Sequence, residues 1–115
     1  MAVGGHIILT GSLVGIRGQK AISSYSVSKG AVHGLVCDAA KRLAKKNIFV
    51  NEIIPGLLKT EMTKNVDDEK FSEMVSENVL GRGTTCEEVA RTVAFITTLK
   101  NVSGQSFFLD SRITF

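Results

Sequence analysis

The chain has 115 residues, of which 43% are hydrophobic and 22% charged, and its formal net charge at pH 7 is +3. A chain of this length forms one domain or part of one, and its single proline and lack of low-complexity tracts exclude a largely disordered protein. Its lysines and arginines are scattered, which argues against a nucleic-acid partner. No apolar run reaches the roughly 18 residues that a membrane span needs.

The chain's location and redox state follow from similar observations. No signal peptide precedes the first predicted strand, and Cys37 and Cys86 lie in different predicted helices without metal-ligand spacing. We therefore expect a cytoplasmic protein with two reduced thiols, no metal and no membrane partner.

The first part of the chain predicts a strand, a loop and a long helix. His6–Thr10 is a short apolar run between glycines, which predicts a strand that is buried on both faces. A loop with Gly15 and Gly18 follows. Apolar residues at helical spacing then predict a helix over residues 23–46, in which Gly30 and Gly34 would leave a small-residue surface for close packing of another helix.

The rest of the chain predicts, in order, a strand over residues 48–54, a helix over 67–79, a helix over 85–99 and a strand over Ser106–Leu109. Thr85 and Glu88 form a capping box at the start of the last helix. Short apolar strands that alternate with helices are typical of an α/β fold with a parallel sheet. We predict three strands and three main helices, with an edge at the first strand that exposes unpaired backbone groups unless a neighbour covers it.

Three side chains near the start of the chain carry a recognisable chemistry. Tyr25 and Lys29 are four residues apart and so share one face of the predicted helix. A nearby ammonium favours a phenolate and lowers the pKa of a phenol, which makes the phenol a usable acid near neutral pH. Ser12, at the carboxyl end of the first strand, can donate a hydrogen bond to the same substrate oxygen.

The pattern Tyr-x-x-x-Lys alone also occurs on surface helices by chance, so its position in the predicted fold matters. Ligands of open α/β sheets bind beyond the carboxyl ends of the strands. Ser12, the start of the Tyr25 helix and the Pro55-Gly56 turn all fall at that end. His33, one turn after Lys29, is interpreted as a packing or surface histidine.

The ordered motifs HIILTGSLVG, YSVSK, VNEIIPGLLKTEMT and SGQSFFLD resemble the C-terminal half of the short-chain dehydrogenase/reductase family. The run from YSVSKGAVHGL to LGR is most similar to 3-oxoacyl-[acyl-carrier-protein] reductases of fatty acid biosynthesis. The resemblance implies that residues 1–115 form part of a Rossmann-like, doubly wound parallel sheet. It also implies an oxidoreductase that reduces a carbonyl to a secondary alcohol with NADP or NAD, of which NADP is favoured. The narrower resemblance implies a 3-oxoacyl thioester as the substrate.

The same resemblance implies roles for individual residues. Tyr25 would be the acid/base catalyst, Lys29 would bind the nicotinamide ribose and lower the tyrosine pKa, and Ser12 would orient the substrate. The Pro-Gly segment would contact the nicotinamide carboxamide. Its matching cofactor-binding positions are Pro55, Gly56, Leu58 and Thr60.

The sequence also departs from the family pattern. It contains no G-x-G-x-x-G motif, no Asn-Asn-Ala-Gly segment and no selector between NAD and NADP, so the N-terminal nucleotide-binding half is absent. Where the family usually has two glycines after the aspartate, this chain has Asp110-Ser111-Arg112. We therefore expect the isolated chain to be inactive. The sequence does not decide between NAD and NADP, and it does not identify the substrate.

Two further hypotheses belong to other functional classes. The chain can be a non-catalytic paralogue or interaction module that pairs with a full-length reductase, or forms a homo-oligomer, through the helix over residues 23–46 and the last strand. Alternatively, Ser12 could act as a hydrolytic nucleophile. The second is disfavoured because no G-x-S-x-G turn surrounds Ser12.

Overall fold

The computed structural model describes residues 4–113, which form an α/β fold around a parallel sheet of three strands. The strands are β1 (His6–Thr10), β2 (Phe49–Pro55) and β3 (Ser106–Leu109), with β2 in the centre. His6 pairs with Phe49 in the β1–β2 register, and Glu52 pairs with Ser106 in the β2–β3 register. All carboxyl ends of the strands therefore lie at the same edge of the sheet.

The α-helices are α1 (Leu13–Arg17), α2 (Ser23–Leu43), α3 (Asp68–Met74) and α4 (Cys86–Ile96). A 3-10 turn over Ala44–Lys46 extends α2, and it ends at Asn47, whose φ of 56° places it in the left-handed region. Another 3-10 turn covers Glu61–Thr63. No helix of residues 4–113 is long and apolar enough to cross a membrane.

The core lies around β2, because this strand has a neighbour on each edge and α2 packs against it. Val50 and Ile54, which point to the same face, are both 0% exposed. Val36 of α2 and Ile96 of α4 are also fully buried. Val27 and Leu35 of α2 remain exposed, so only part of the apolar surface of α2 belongs to this core.

Most predicted elements are confirmed, with small changes at their ends. The bounds of β1 and β3 agree with the prediction, whereas β2 begins and ends one residue later than predicted. Helices α3 and α4 are shorter than predicted, since the residues after each helix form turns. The Thr85–Glu88 capping box is present at the start of α4.

Two predictions about the first strand and its loop are wrong. β1 is only half-buried rather than buried on both faces, because within residues 4–113 it pairs with β2 alone and its other edge is open. The predicted loop contains the helix α1. Ser12 caps this helix by accepting a hydrogen bond from Val14 N, the Leu13 side chain is buried, and Gly18 ends it with a φ of 73°.

Candidate active site

Ser12 lies two residues after the end of β1, at the carboxyl edge of the sheet. Its Oγ accepts a hydrogen bond from Val14 N at 3.2 Å and thereby caps α1. The preceding residue, Gly11, donates its N–H to the Ile53 carbonyl at 2.9 Å, which extends the β1–β2 pairing up to the serine. As the capping contact uses only a lone pair of Oγ, the hydroxyl hydrogen stays available to a substrate oxygen.

Tyr25 and Lys29 lie in the first two turns of α2. The Lys29 Nζ is 5.9 Å from the centroid of the Tyr25 ring. It also donates a hydrogen bond to the Thr10 carbonyl at 3.2 Å, so Lys29 contacts the end of β1, two residues before Ser12. The Tyr25 side chain is 41% exposed and faces outward, where a substrate could reach it.

Two glycines allow α1 and α2 to cross closely at this site. A methyl group on Gly15 would come within 2.6 Å of the Gly30 backbone nitrogen, and one on Gly30 would lie 3.1 Å from the Gly15 carbonyl. The predicted small-residue surface of α2 is thus used at Gly30 by α1, whereas Gly34 faces open space. This crossing brings the helix that begins after Ser12 against Lys29.

The segment from Pro55 to Thr60 continues from β2 at the same edge. Gly56 lies so close to Asp110 that a methyl group on it would be 2.5 Å from the Asp110 Cβ. The Asp110 side chain is 2% exposed and pairs with Arg112. Asp110, the residue before the usual glycine positions, therefore packs against the Pro-Gly turn, and β3 is formed despite the departure from the family pattern.

Hydrogen bonds near Thr60 fix the end of this segment. The Thr63 Oγ1 accepts from Thr60 N at 2.8 Å and donates to the Leu58 carbonyl at 2.7 Å. The side chains of Pro55, Leu58 and Thr60 are half-buried. These positions form an ordered rim beside the strand ends.

An ion pair connects α1 to the turn after α3. Arg17 Nη2 lies 2.8 Å from Glu77 Oε2, and both side chains are more than half exposed. The hydrogen bond and charge of Arg17 hold the pKa of Glu77 below its usual value. Because solvent screens such a pair, it orients α1 more than it stabilises the fold.

His33 and Ser106 surround the buried carboxylate of Glu52 in a polar cluster that was not predicted from the sequence. Glu52 is fully buried, and its Oε2 accepts hydrogen bonds from His33 Nδ1 at 2.7 Å and from Ser106 Oγ at 2.8 Å. The interpretation of His33 as a packing or surface residue omitted this contact. The glutamate within the apolar run of β2 could have indicated such a cluster, because a buried carboxylate needs hydrogen-bond partners.

A sizeable cavity of the structure lies away from Ser12, Tyr25 and Lys29. A cavity of about 530 Å³ lies between α3 and the start of α4, where Lys59, Phe71 and Arg82 line it. Ser12, Tyr25 and Lys29 do not line this cavity. Within residues 4–113, no cluster of three His, Cys, Asp or Glu side chains could hold a metal ion. The strand ends are thus the better guide to the site.

Comparison with known proteins identifies the family and the fold of the chain. The profile of a family described as enoyl-(acyl carrier protein) reductase matches residues 1–112. The chain folds like the 3-hydroxyacyl-CoA dehydrogenase type-2 of Mycobacterium avium, with a TM-score of 0.88 and 32% identity over 96% of this chain and 43% of that one. The chain belongs to the short-chain dehydrogenase/reductase family.

Curated relatives narrow the likeness within this short-chain dehydrogenase/reductase family. The chain is 35% identical to 3-oxoacyl-[acyl-carrier-protein] reductase of Mus musculus and 36% identical to that of Homo sapiens, over 110 residues in each case. It is also 36% identical to carbonyl reductase family member 4 of Xenopus laevis. The predicted likeness to 3-oxoacyl-[acyl-carrier-protein] reductases is confirmed. These matches cover 96% of this chain but only 45% of the length of each relative.

Members of this family typically use NAD or NADP, and the residues present fit one end of such a cofactor. An ammonium has three donor hydrogens, and the known contact of Lys29 with Thr10 uses one of them. The other two remain available to donate to a ligand beside the exposed Tyr25. The sequence contains no glycine-rich turn for the pyrophosphate, so the fit extends only to the nicotinamide end.

Proposed function

We propose that the chain carries the acid–base half of an NAD(P)-dependent carbonyl reductase. The observation that carries the proposal is the position of the Lys29 Nζ, which contacts the carbonyl of Thr10 at the end of β1 and lies 5.9 Å from the centroid of the Tyr25 ring. A hydroxyl donor, a phenol and an ammonium thus stand at one end of the sheet. This set suits reduction of a carbonyl to a secondary alcohol.

The chain's own residues would handle the proton and the carbonyl oxygen. The reduced nicotinamide, when bound, supplies the hydride for the carbonyl carbon. Tyr25 gives its phenolic proton to the carbonyl oxygen, which would otherwise become an alkoxide. Lys29 stabilises the resulting phenolate by its charge, and Ser12 donates a hydrogen bond to the same oxygen.

The substrate and the cofactor preference are the finer parts of the proposal. The likeness to 3-oxoacyl-[acyl-carrier-protein] reductases favours a 3-oxoacyl thioester as the substrate. NADP, which the family resemblance of the sequence favours slightly, is the cofactor that we propose. Pro55, Gly56, Leu58 and Thr60 would line the nicotinamide end. The two cysteines are unpaired, which suits the reducing cytoplasm.

Because the chain lacks a glycine-rich turn, we expect it to need a complementary half. The test is calorimetric titration of NADPH and NADH into the chain alone, and into a mixture with the separately expressed amino-terminal half of a full-length 3-oxoacyl-[acyl-carrier-protein] reductase. We expect binding only in the mixture. Lys29→Met should weaken that binding, while Lys41→Met, which removes an exposed lysine of the same helix, should not. Equal binding by both variants would contradict the role of Lys29.

Exposed apolar side chains favour a second candidate, an interaction module that pairs with a full-length reductase or with itself. Val27 is 72% exposed and Leu35 is 55% exposed on α2, and Phe108 is 40% exposed on β3. Such residues mark contact surfaces when they are grouped. Light scattering of the chain, alone and mixed with a full-length relative, should reveal a complex that Val27→Ser and Leu35→Ser weaken. A monomer in both samples would contradict this candidate.

A further inference from the structure

Glu52 is an unusual residue for its place in the fold. It lies in the central strand, between Asn51 and Ile53, and its side chain is 0% exposed. Its Oε2 accepts two hydrogen bonds, from His33 and from Ser106, but its Oε1 has no partner among the described residues. An unpartnered buried oxygen destabilises a fold, so packing alone would be served better by an apolar side chain.

The two carboxylate oxygens reach the two elements that carry the candidate catalytic residues. Oε2 contacts His33, which lies one helical turn after Lys29 on α2. Oε1 lies against Gly11, the residue before Ser12, so closely that a methyl group on Gly11 would overlap it. Glu52 therefore contacts both the helix of Lys29 and Tyr25 and the strand end of Ser12.

We propose that Glu52, acting through His33, is a positioning residue for the acid–base site, an inference that rests on the proposed function. The His33 contact fixes where α2 sits along β2, and the carboxylate fills the space below Gly11. Both constraints set the approach of α2 to the end of β1. Their result is the 3.2 Å contact between Lys29 Nζ and the Thr10 carbonyl. The free Oε1 is the structural cost of placing one carboxylate against both elements.

The test removes the His33 contact without removing the fold. The His33 side chain is 43% exposed, so His33→Ala should leave the core intact. An asparagine amide nitrogen can take the place of Nδ1, so His33→Asn keeps a donor for Glu52. The matched control is Asp38→Ala, which breaks the exposed pair with Arg42 on the same helix.

The readout is the NMR signal of the Lys29 ammonium and its coupling across the hydrogen bond to the Thr10 carbonyl, with thermal unfolding measured in parallel. We expect the coupling to be lost in His33→Ala and kept in His33→Asn and Asp38→Ala. In Glu52→Leu, which replaces the carboxylate by an apolar group of similar size, we expect a folded chain that has lost the coupling.

These outcomes separate positioning from simple stabilisation. If His33→Ala or Glu52→Leu lowers the unfolding temperature but keeps the Lys29–Thr10 coupling, Glu52 only stabilises the fold and the proposal is wrong. Loss of the coupling in His33→Asn as well as in His33→Ala would also overturn it. The measurement uses the folded chain without cofactor, so a failure of the proposed reductase function would leave its result unaffected.

Discussion

Gly15 of α1 lies against Gly30 of α2 so closely that a side chain at Gly15 would meet the backbone of Lys29 and Gly30. This crossing joins the helix that Ser12 caps to the helix that carries Tyr25 and Lys29. The approach depends on the absence of a side chain at Gly15, because the nearest atoms are backbone atoms of Lys29 and Gly30 and the Lys29 Cβ, none of which can turn away. The arrangement of the candidate site is therefore sensitive to a single methyl group.

We expect Gly15→Ala to destabilise the chain by about 1–2 kcal/mol, since an overpacked contact has to push α1 away from α2. Gly34→Ala is the matched control on α2. Gly34 has nothing within 4 Å, so alanine should stabilise the helix by about 1 kcal/mol. Urea unfolding of both variants measures the difference. A stabilised Gly15→Ala variant would contradict the close crossing.

The capping box of α4 gives a prediction for stability and pH. The Glu88 carboxylate accepts hydrogen bonds from the Thr84 hydroxyl and from the Thr85 N–H and hydroxyl, and these lower the pKa of Glu88 from 4.5. Because the pKa of Glu88 is lower in the folded chain than in the unfolded chain, this stabilisation is fully present above pH 4.5. It is lost as the pH falls through the pKa of Glu88 in the folded chain.

Thr85→Ala should therefore reduce the free energy of unfolding at neutral pH by about 1 kcal/mol, because it removes the cap. Glu88→Gln should flatten the acid dependence of unfolding without changing the bounds of α4. Denaturant unfolding at a series of pH values measures both effects. An unchanged acid dependence in Glu88→Gln would show that the capping carboxylate does not contribute.

The contact between Gly56 and Asp110 predicts that a substitution of Asp110 offsets the destabilising effect of a substitution at Gly56. Gly56→Ala should destabilise the chain because the new methyl group would lie 2.5 Å from the Asp110 Cβ. Asp110→Gly removes that obstacle, so the double variant should lose less stability than the sum of the two single changes. A double-mutant cycle of unfolding free energies tests this, and strict additivity would count against the contact.

The sequence predicted the elements that have a clear local pattern. The bounds of β1 and β3 and the start of α2 follow from short apolar runs between glycines and from helical spacing. The motif with Tyr25 and Lys29 was recognisable because four-residue spacing on a helix implies a shared face. These features depend on neighbours in the sequence, so the sequence alone suffices.

The features that were missed depend on distant contacts. α1 has five residues and includes Gly15, so its sequence has little helical pattern, and its cap is the serine that was interpreted only by its chemistry. The half-burial of β1 follows from its open edge rather than from its composition. His33 and Glu52 are 19 residues apart, and only the packing of α2 on β2 brings them together.

The measurement that tests the central claim most directly is the turnover of a 3-oxoacyl thioester with NADPH by the chain mixed with the amino-terminal half of a full-length relative. Tyr25→Phe keeps the ring but removes the proton donor. We predict that it lowers kcat by about 10²–10⁴-fold while cofactor binding is unchanged. Unchanged turnover by the Tyr25→Phe mixture would contradict the assignment of Tyr25 as the acid, and with it the proposed acid–base site.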